Sequence, residues 1–179
     1  MNKIVLIDMD GVIVDFERGF IESWRKKYPN KPYVSLKDRK NFYVIDDYPE
    51  ELKRDASKIY LEIGFFEKLK PIKDAIQAFK EISKKFEVFI ITSPLTERPN
   101  TISEKMEWIK KKLGNETLER LIITKDKTIV HAYYLIDDKP GVQGIFTPTW
   151  EQIIFDQPYN QNVKGKKRTN WRNWKEILR

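Results

Sequence analysis

The amino-acid sequence predicts an α/β fold, in which a parallel sheet is covered by helices on both faces. Apolar, β-branched segments of strand length alternate with amphipathic helical segments from residue 71 onward, and this alternation is typical of parallel sheets. A polar and aromatic stretch interrupts the alternation early in the chain and predicts a small helical cap. The length of 179 residues suits one domain of ordinary size with such an insertion.

Five segments have the composition of buried strands. Each is short and apolar, and each is rich in β-branched or aromatic residues, as the central strands of parallel sheets are. They lie at residues 3–8, 87–93, 121–124, 133–137 and 152–155. Because parallel strands need long crossover connections, the segments between them are expected to contain helices.

Two helical segments accompany these strands. Apolar residues recur every three or four positions over residues 72–86 and again over residues 102–113. In the second segment, Ile102, Met106, Ile109 and Leu113 are placed on the apolar face, and Gly114 is expected to end the helix. A last short helix, around residues 174–178, is expected to dock on the core.

A small helical cap is predicted after the first strand. Aromatic residues recur every four positions from Phe16 to Tyr28, as on one face of a helix, and a second periodic stretch ends at Gly64. Neither stretch follows the alternation of strands and helices. The predicted division is a Rossmann-like α/β core of residues 1–15 and 70–179, with a cap of residues 16–69.

The absence of cysteine and the single histidine restrict the chemistry. Without cysteine the chain has no disulfide, no thiolate nucleophile and no zinc–thiolate site. His131 alone cannot build a metal site of several histidines. Any metal is therefore held mainly by oxygen, which favours Mg²⁺ over zinc.

The net charge of +7 suits anionic ligands, including nucleotides and nucleic acid. The one dense basic run is KGKKR at residues 164–168, and the simpler interpretation is that most lysines only solvate the surface. No stretch approaches the roughly 20 apolar residues of a membrane span, and the N-terminal apolar run is too short for a signal peptide. We expect a cytoplasmic protein with no membrane partner.

Three of the predicted strands end in polar residues, and a lysine lies in the loop after another strand. All four positions are expected at one edge of the sheet. In open parallel sheets, ligands bind beyond the carboxyl ends of the strands. The residues expected there are an acid pair after the first strand, a hydroxyl pair, a lysine and a second acid pair: Asp8 and Asp10, Thr92 and Ser93, Lys127, and Asp137 and Asp138.

Two acid pairs at one site require a cation between them. Neighbouring carboxylates repel each other strongly, whereas Mg²⁺ takes about six oxygen ligands and also recruits phosphate. Taken alone, an Asp-x-Asp or Asp-Asp after a strand is often only a turn or a helix cap. The two pairs together, with a hydroxyl and a lysine between them, are much harder to explain as caps and predict a magnesium-dependent phosphoryl site.

The motifs resemble those of the haloacid dehalogenase-like hydrolases, in the same order and with similar spacing. Within this superfamily the chain is most similar to the 5′(3′)-deoxyribonucleotidases, over nearly its whole length. The segments that carry the resemblance are DMDGVIVDF at 8–16, TSPL at 92–95, TKDKTIV at 124–130, LIDDKP at 135–140 and IIFDQPYN at 153–160.

The resemblance implies a catalytic mechanism. Asp8 would attack phosphorus and become an aspartyl phosphate, and an ordinary carboxylate with a pKa of about 4 needs no base to ionise it. Asp10 would protonate the leaving oxygen and then activate water. Thr92 and Lys127 would bind the phosphoryl oxygens. The implied ligands of Mg²⁺ are Asp8, the backbone carbonyl of Asp10, and Asp137, with Asp138 supporting the metal-bound waters.

The resemblance also implies how a base is held. Phe16, Phe42 and Tyr43 match base-facing positions, while Ser93 and Pro94 would present backbone groups. The rest of the aromatic stripe, around Phe20 and Trp24, is better explained as cap core. The chain departs from the family at Lys139, where animal members tend to carry arginine, and lysine lacks the planar fork of that side chain.

Three functional hypotheses follow. The first is a phosphatase of deoxyribonucleoside monophosphates. The second keeps the chemistry but takes a sugar phosphate or a polynucleotide 3′-phosphate end. The third, the weakest, is a nucleic-acid-binding module without catalysis, which the charge of +7 suggests but the full set of site residues opposes. The base, the sugar and the oligomeric state, with a homodimer as one option, stay open.

Overall fold

Six parallel strands form one sheet in the computed structural model of the chain, which describes residues 3–179. Every neighbouring pair is parallel, and the spatial order is β3-β2-β1-β4-β5-β6. The strands are β1 (Ile4–Asp8), β2 (Glu87–Thr92), β3 (Leu121–Ile123), β4 (Tyr134–Asp137), β5 (Glu151–Phe155) and β6 (Arg168–Thr169). The predicted α/β class and all five predicted strands are confirmed.

Six α-helices connect or cover the strands. They are α1 (Phe16–Lys27), α2 (Glu50–Tyr60), α3 (Phe65–Lys68), α4 (Ala75–Ile82), α5 (Thr101–Leu113) and α6 (Trp174–Ile177). The Asp15 side chain caps α1 by accepting a hydrogen bond from the Arg18 amide at 3.1 Å. Gly64 has a φ of 80° and precedes α3, whereas α2 already ends at Tyr60. The helix predicted to stop at Gly64 is therefore shorter than expected.

The two faces of the sheet are covered differently. Successive strand residues point to opposite faces, so Val5 and Ile7 join a large core cluster with the α-helices, while Leu6 joins a smaller cluster. The smaller cluster is completed by residues of the segment 130–150, such as Trp150. Where helices were predicted on both faces, this second face has loops and a single turn of 3₁₀ helix at Lys127–Ile129.

The two ends of the segment of residues 16–69 lie next to each other in the fold. The Asp15 amide donates to the Lys70 carbonyl at 2.9 Å, and the Ile72 amide donates to the Ile13 carbonyl at 2.8 Å. Phe20 and Trp24 are fully buried, as expected for core residues of the predicted cap. The segment is thus inserted between β1 and α4, with its two ends hydrogen-bonded to each other.

Strand β6 lies in the basic run and was not predicted. A strand of two residues has no readable alternation, so the pattern of the sequence carries no signal for it. Arg168 pairs with Asp156 at 2.7 Å, and Lys167 pairs with Glu151 at 3.0 Å. The basic run is therefore partly neutralised against the sheet. Across residues 3–179, no helix is long and apolar enough to cross a membrane.

Candidate active site

The site is built where three neighbouring strands end. Asp8 is the last residue of β1, Thr92 the last of β2 and Asp137 the last of β4, and β1 lies between the other two. The carboxyl ends of parallel strands meet at one edge, so these side chains are brought together from distant parts of the chain. This convergence is the one that the sequence predicts.

Three buried carboxylates form the centre of this edge. Oxygen atoms of Asp8, Asp137 and Asp138 all lie within 4.8 Å of one another. The pKa of Asp8 is raised to about 7, chiefly by burial, with Lys127 lowering it and the nearby Asp137 and Asp10 raising it. Burial, followed by Asp137 and Asp8, also raises the pKa of Asp138 well above its usual range.

A divalent cation fits this donor set. Three converging carboxylates offer only oxygen, and the raised pKa values of Asp8 and Asp138 reflect the free-energy cost of holding several negative charges in a buried place. The sequence interpretation took Asp8 as freely ionised near neutral pH. The structure modifies this, because the pKa of Asp8 is raised to about 7, chiefly by burial, and the nearby Lys127 favours the ionised form.

Lys127 bridges two of the three acids. Its Nζ donates to Oδ2 of Asp137 at 2.6 Å and also to Oδ1 of Asp8. Burial lowers the pKa of Lys127, but Asp8 and Asp137 raise it more, and the net direction is upward. The lysine stands in a single-turn helix that Asp126 caps by accepting from the Thr128 amide at 2.9 Å. A fixed positive charge therefore lies beside Asp8.

Asp10 lies outside the three-acid cluster. Its carboxylate pairs with Lys105 at 2.6 Å, and its other oxygen, Oδ1, is buried without a hydrogen-bond partner among residues 3–179. Lys105 also donates to Thr92 Oγ1 at 2.8 Å and to the Ser93 carbonyl at 3.1 Å. A second buried lysine thus holds Asp10 and Thr92 together.

Sequence reasoning missed Lys105 because it found only part of the buried face of α5. Of the predicted apolar residues, Ile109 and Leu113 are buried, but Met106 is 39% exposed, whereas Lys105 is 2% exposed. Trp108, fully buried, donates its indole N–H to the Leu69 carbonyl at 2.7 Å and fixes the rotation of the helix. Spacing places Lys105 on the same side of the helix as Trp108, three positions later, but it does not show that this side is buried.

Asp138 is held by the segment that follows β5. The Tyr159 hydroxyl donates to Asp138 Oδ2, and Asn160 Nδ2 donates to the Asp138 carbonyl at 2.8 Å. A Cβ at Gly11 would lie 2.3 Å from Asp138 Oδ2, and Gly11 has a φ of 76°. The turn between Asp8 and α1 therefore requires glycine to approach this carboxylate.

A cavity of about 550 Å³ opens beside the acids. Its walls are mainly aromatic and apolar, and Asp10 and Asp138 lie at one side. Three aromatic residues assigned to the base, Phe16, Phe42 and Tyr43, line it. Tyr60, Phe66 and Tyr159 also line it.

Two other predicted substrate residues, Ser93 and Pro94, lie outside the wall of the cavity. Ser93 is exposed, and its hydroxyl donates to the Thr124 carbonyl at 3.2 Å, while Pro94 follows it in the loop after β2. Neither is among the residues that line the cavity. The Lys139 ammonium lies 5.7 Å from the Phe42 ring centre, so this departure from the family stands near the predicted base site.

Comparisons with known proteins agree with this geometry. A family profile described as 5′ nucleotidase, deoxy (Pyrimidine), cytosolic type C protein matches residues 2–179. A protein of Bordetella bronchiseptica is 43% identical over 176 residues, which cover 98% of this chain and 95% of the relative. The human 5′(3′)-deoxyribonucleotidase, cytosolic type, is 38% identical over 185 residues, covering 97% of this chain and 92% of the relative.

A solved structure shares the fold at low sequence identity. The haloacid dehalogenase-like family hydrolase from Streptococcus pneumoniae superposes with a TM-score of 0.62 at 11% identity, and the match covers 99% of each chain. This similarity supports the α/β architecture alone. The family profile and the close relatives span nearly the full chain, and the chain belongs to the family of the 5′ nucleotidase, deoxy (Pyrimidine), cytosolic type C proteins.

Proposed function

We propose that this protein is a Mg²⁺-dependent phosphatase that hydrolyses nucleoside monophosphates, with deoxyribonucleotides as its preferred substrates. The observation that carries the proposal is the cluster of Asp8, Asp137 and Asp138, bridged by Lys127, beside an aromatic cavity. The acids suit a cation and a phosphoryl group, and the cavity suits a flat base. The names of the human relatives support the same activity.

Mg²⁺ is the cation that best suits the oxygen donors. The chain would hold it through Asp8, the backbone carbonyl of Asp10, and Asp137, with Asp138 orienting its waters. When bound, Mg²⁺ neutralises charge on the phosphoryl oxygens. The chain's single histidine, His131, is placed on an exposed loop against Thr149 and has no part in this site.

Asp8 acts as the nucleophile in the proposed mechanism. One of its carboxylate oxygens attacks phosphorus, and the bond between phosphorus and the leaving oxygen breaks, which forms an aspartyl phosphate. Lys127, in contact with Asp8, helps to keep the carboxylate ionised although burial raises its pKa to about 7. Asp10 gives a proton to the leaving oxygen and later takes one from the water that hydrolyses the aspartyl phosphate.

Thr92, Lys127 and Lys105 position the phosphoryl group. Charge develops on its equatorial oxygens, and fixed donors placed around them stabilise the transition state. The Thr92 hydroxyl and the Lys127 ammonium are the predicted donors. Lys105 contacts both Thr92 and Asp10, so it orients a phosphate donor and the proposed acid at once.

The segment of residues 16–69 serves as a cap over the core of residues 1–15 and 70–179. The hydrogen bonds at its two ends, between residues 13–15 and 70–72, form a natural pivot, and its aromatic residues face the cavity. Phe16, Phe42 and Tyr43 would stack on the base or contact its edge. Ser93 and Pro94 would contact the base when the cap closes. Stacking of this kind is worth roughly 1–3 kcal/mol per base.

A substrate panel tests the proposed function. With saturating Mg²⁺, release of inorganic phosphate is measured from ribo- and deoxyribonucleoside monophosphates, from sugar phosphates and from an oligonucleotide with a 3′-phosphate end. We expect kcat/KM for the preferred deoxyribonucleotide to exceed that for sugar phosphates by at least about tenfold, because the base adds stacking energy. Equal rates on sugar phosphates, or salt-sensitive DNA binding without phosphate release, would overturn the proposal.

Replacing Lys105 by methionine should lower kcat/KM for nucleotides by about 100-fold. The change keeps the length of the side chain but removes the charge that holds Asp10 and Thr92 in place. Steady-state phosphate release is the measurement. The matched control is Lys110→Met, on the exposed face of the same helix, which should behave like the unmodified protein. An unaltered kcat/KM in a folded Lys105→Met protein would remove this lysine from the phosphate site.

For location, we propose the cytoplasm, in line with the cytosolic-type human relative. The partner of the chain in this proposal is a small nucleotide. The engagement of Arg168 and Lys167 with acids of β5 and the segment after it argues against the basic run as a nucleic-acid site.

A further inference from the structure

A second buried cluster of charges lies outside the phosphoryl site. Glu17 in α1, Arg39 and Asp47 have side chains that are 6%, 1% and 5% exposed, respectively. Buried charges are rare in proteins unless they are paired and hydrogen-bonded, and such clusters often specify one conformation. None of these three residues is used in the proposed chemistry.

The Arg39 guanidinium joins two parts of the chain. Nε and Nη2 donate to the two oxygens of Glu17 at 2.5 and 2.9 Å, in a bidentate pair. Nη1 donates to Asp47 and to the Asn41 carbonyl at 2.7 Å, and Nη2 also donates to the Phe42 carbonyl at 3.3 Å. The planar fork of arginine is suited to such a set of acceptors, and one ammonium could not serve all of them.

Asp47 stabilises the same loop by hydrogen bonds to residues within it. Its carboxylate accepts from the backbone amides of Lys40 and Asn41, each at 3.2 Å, and from Asn41 Nδ2 at 2.8 Å. The loop of residues 39–47 therefore has a defined shape, with Phe42 and Tyr43 at its centre. These are the two loop aromatics that line the cavity.

Arg39 thus fixes two walls of the cavity relative to each other. Glu17 follows Phe16, which lines one wall, and the Arg39 loop carries Phe42 and Tyr43, which line another. The ion pair between Arg39 and Glu17 is the direct polar link between α1 and this loop.

The same guanidinium also reaches the phosphoryl side of the site. Its central carbon lies 5.0 Å from the centre of the Tyr159 ring, and the Phe42 ring packs edge-on against Tyr159 at 6.0 Å. The Tyr159 hydroxyl donates to Asp138. Arg39, Phe42 and Tyr159 therefore form one packed unit between the aromatic walls and the acid cluster.

We propose that Arg39 is a positioning residue that sets the placement of the aromatic walls relative to the phosphoryl site, and thereby determines the preference for substrates that carry a base. The inference rests on the proposed nucleotidase function. A phosphate without a base uses only the acid cluster, the lysines and Thr92. A nucleotide needs the aromatic walls as well, at the correct distance from the phosphate.

The test compares two substrates on two variants of the same residue. Arg39→Lys keeps a positive charge but loses the fork, and Arg39→Met loses both. For each protein, kcat and KM are measured with thymidine 5′-monophosphate and with 2-deoxyribose 5-phosphate at saturating Mg²⁺, and folding is checked by circular dichroism and thermal melting. Lys40→Met is the matched control, since Lys40 is adjacent and exposed.

We expect both variants to lower kcat/KM for the nucleotide by about 10- to 100-fold, mainly through KM, because interactions with a remote part of the substrate are lost. The sugar phosphate should change by less than about threefold, and Lys40→Met should leave both values unchanged.

Equal losses with both substrates would overturn the inference, since Arg39 would then act only on general stability. Failure of both variants to fold would overturn it for the same reason, as would an unchanged nucleotide KM. If the unmodified protein releases phosphate from neither substrate, the proposed function fails, and that result is distinct from any outcome with the variants.

Discussion

Replacing Asp8 by asparagine is expected to abolish turnover and to leave the fold intact. The amide has nearly the same shape but is a poor nucleophile, so no aspartyl phosphate forms and kcat/KM falls by roughly 10⁴-fold or more. Steady-state phosphate release from a deoxyribonucleoside monophosphate measures the loss. The raised pKa of Asp8, about 7, means that its negative charge is disfavoured in the folded protein. Removing one of three neighbouring buried carboxylates should therefore leave the fold intact.

The variant must be read against a control of the same chemistry. Asp38→Asn changes an exposed aspartate in the segment of residues 16–69 and should keep the full rate. Both proteins should show the far-ultraviolet circular dichroism spectrum of the unmodified chain. Undiminished phosphate release from a folded Asp8→Asn protein would end the assignment of Asp8 as the nucleophile.

Removal of divalent cations is the second change with a large expected effect. Thorough treatment with EDTA, followed by removal of the chelator, should lower phosphate release by at least about 100-fold, and millimolar Mg²⁺ should restore it. A bound cation would stabilise the ionised forms of Asp8, Asp137 and Asp138, which have oxygen atoms within 4.8 Å of one another. Without it, a pKa of about 7 leaves roughly half of the Asp8 side chains protonated at pH 7, and the larger part of the loss is expected from the missing positive charge at the phosphoryl oxygens.

Two further measurements make the metal experiment specific. Thermal melting of the chelated protein shows whether the fold persists, so that loss of activity is not loss of structure. Titration of Mg²⁺ into Asp137→Asn should require a higher concentration for half-maximal effect than titration into the unmodified protein, because one proposed ligand is weakened. Full activity in the chelated protein would contradict the oxygen-ligand site.

The pattern of apolar residues predicts most of the sheet, because the central strands of a parallel sheet are buried on both faces and are therefore continuously apolar. Strands β1, β2 and β4 have no exposed face, so their composition identifies them without knowledge of their neighbours. One acid pair after a strand is often only a turn or a helix cap, and the acids stand out here because two such pairs lie at the ends of different strands. Strand β6 carried no such signal, because a two-residue edge strand is held mainly by backbone hydrogen bonds to β5.

Rotation of α5 shows a limit of periodicity. The pattern predicts one apolar face with Ile102, Met106, Ile109 and Leu113, but the buried face is rotated from it toward Trp108 and Lys105, and the pattern does not show this rotation. The large Trp108 side chain, hydrogen-bonded to Leu69 across the fold, decides it. Lys105 enters the site as a consequence of that packing.

From residue order alone came the parallel sheet, the expectation of an oxygen-based metal site, and the convergence of Asp8, Thr92 and Asp137, because topology places the ends of adjacent strands together whatever the side-chain details. Only the folded chain could determine which charges pair. Whether Lys105 meets Asp10, or Arg39 meets Glu17 and Asp47, depends on distances of a few ångströms between elements far apart in sequence. Such contacts, and the pKa values that burial raises, are properties of packing and have no signature in spacing.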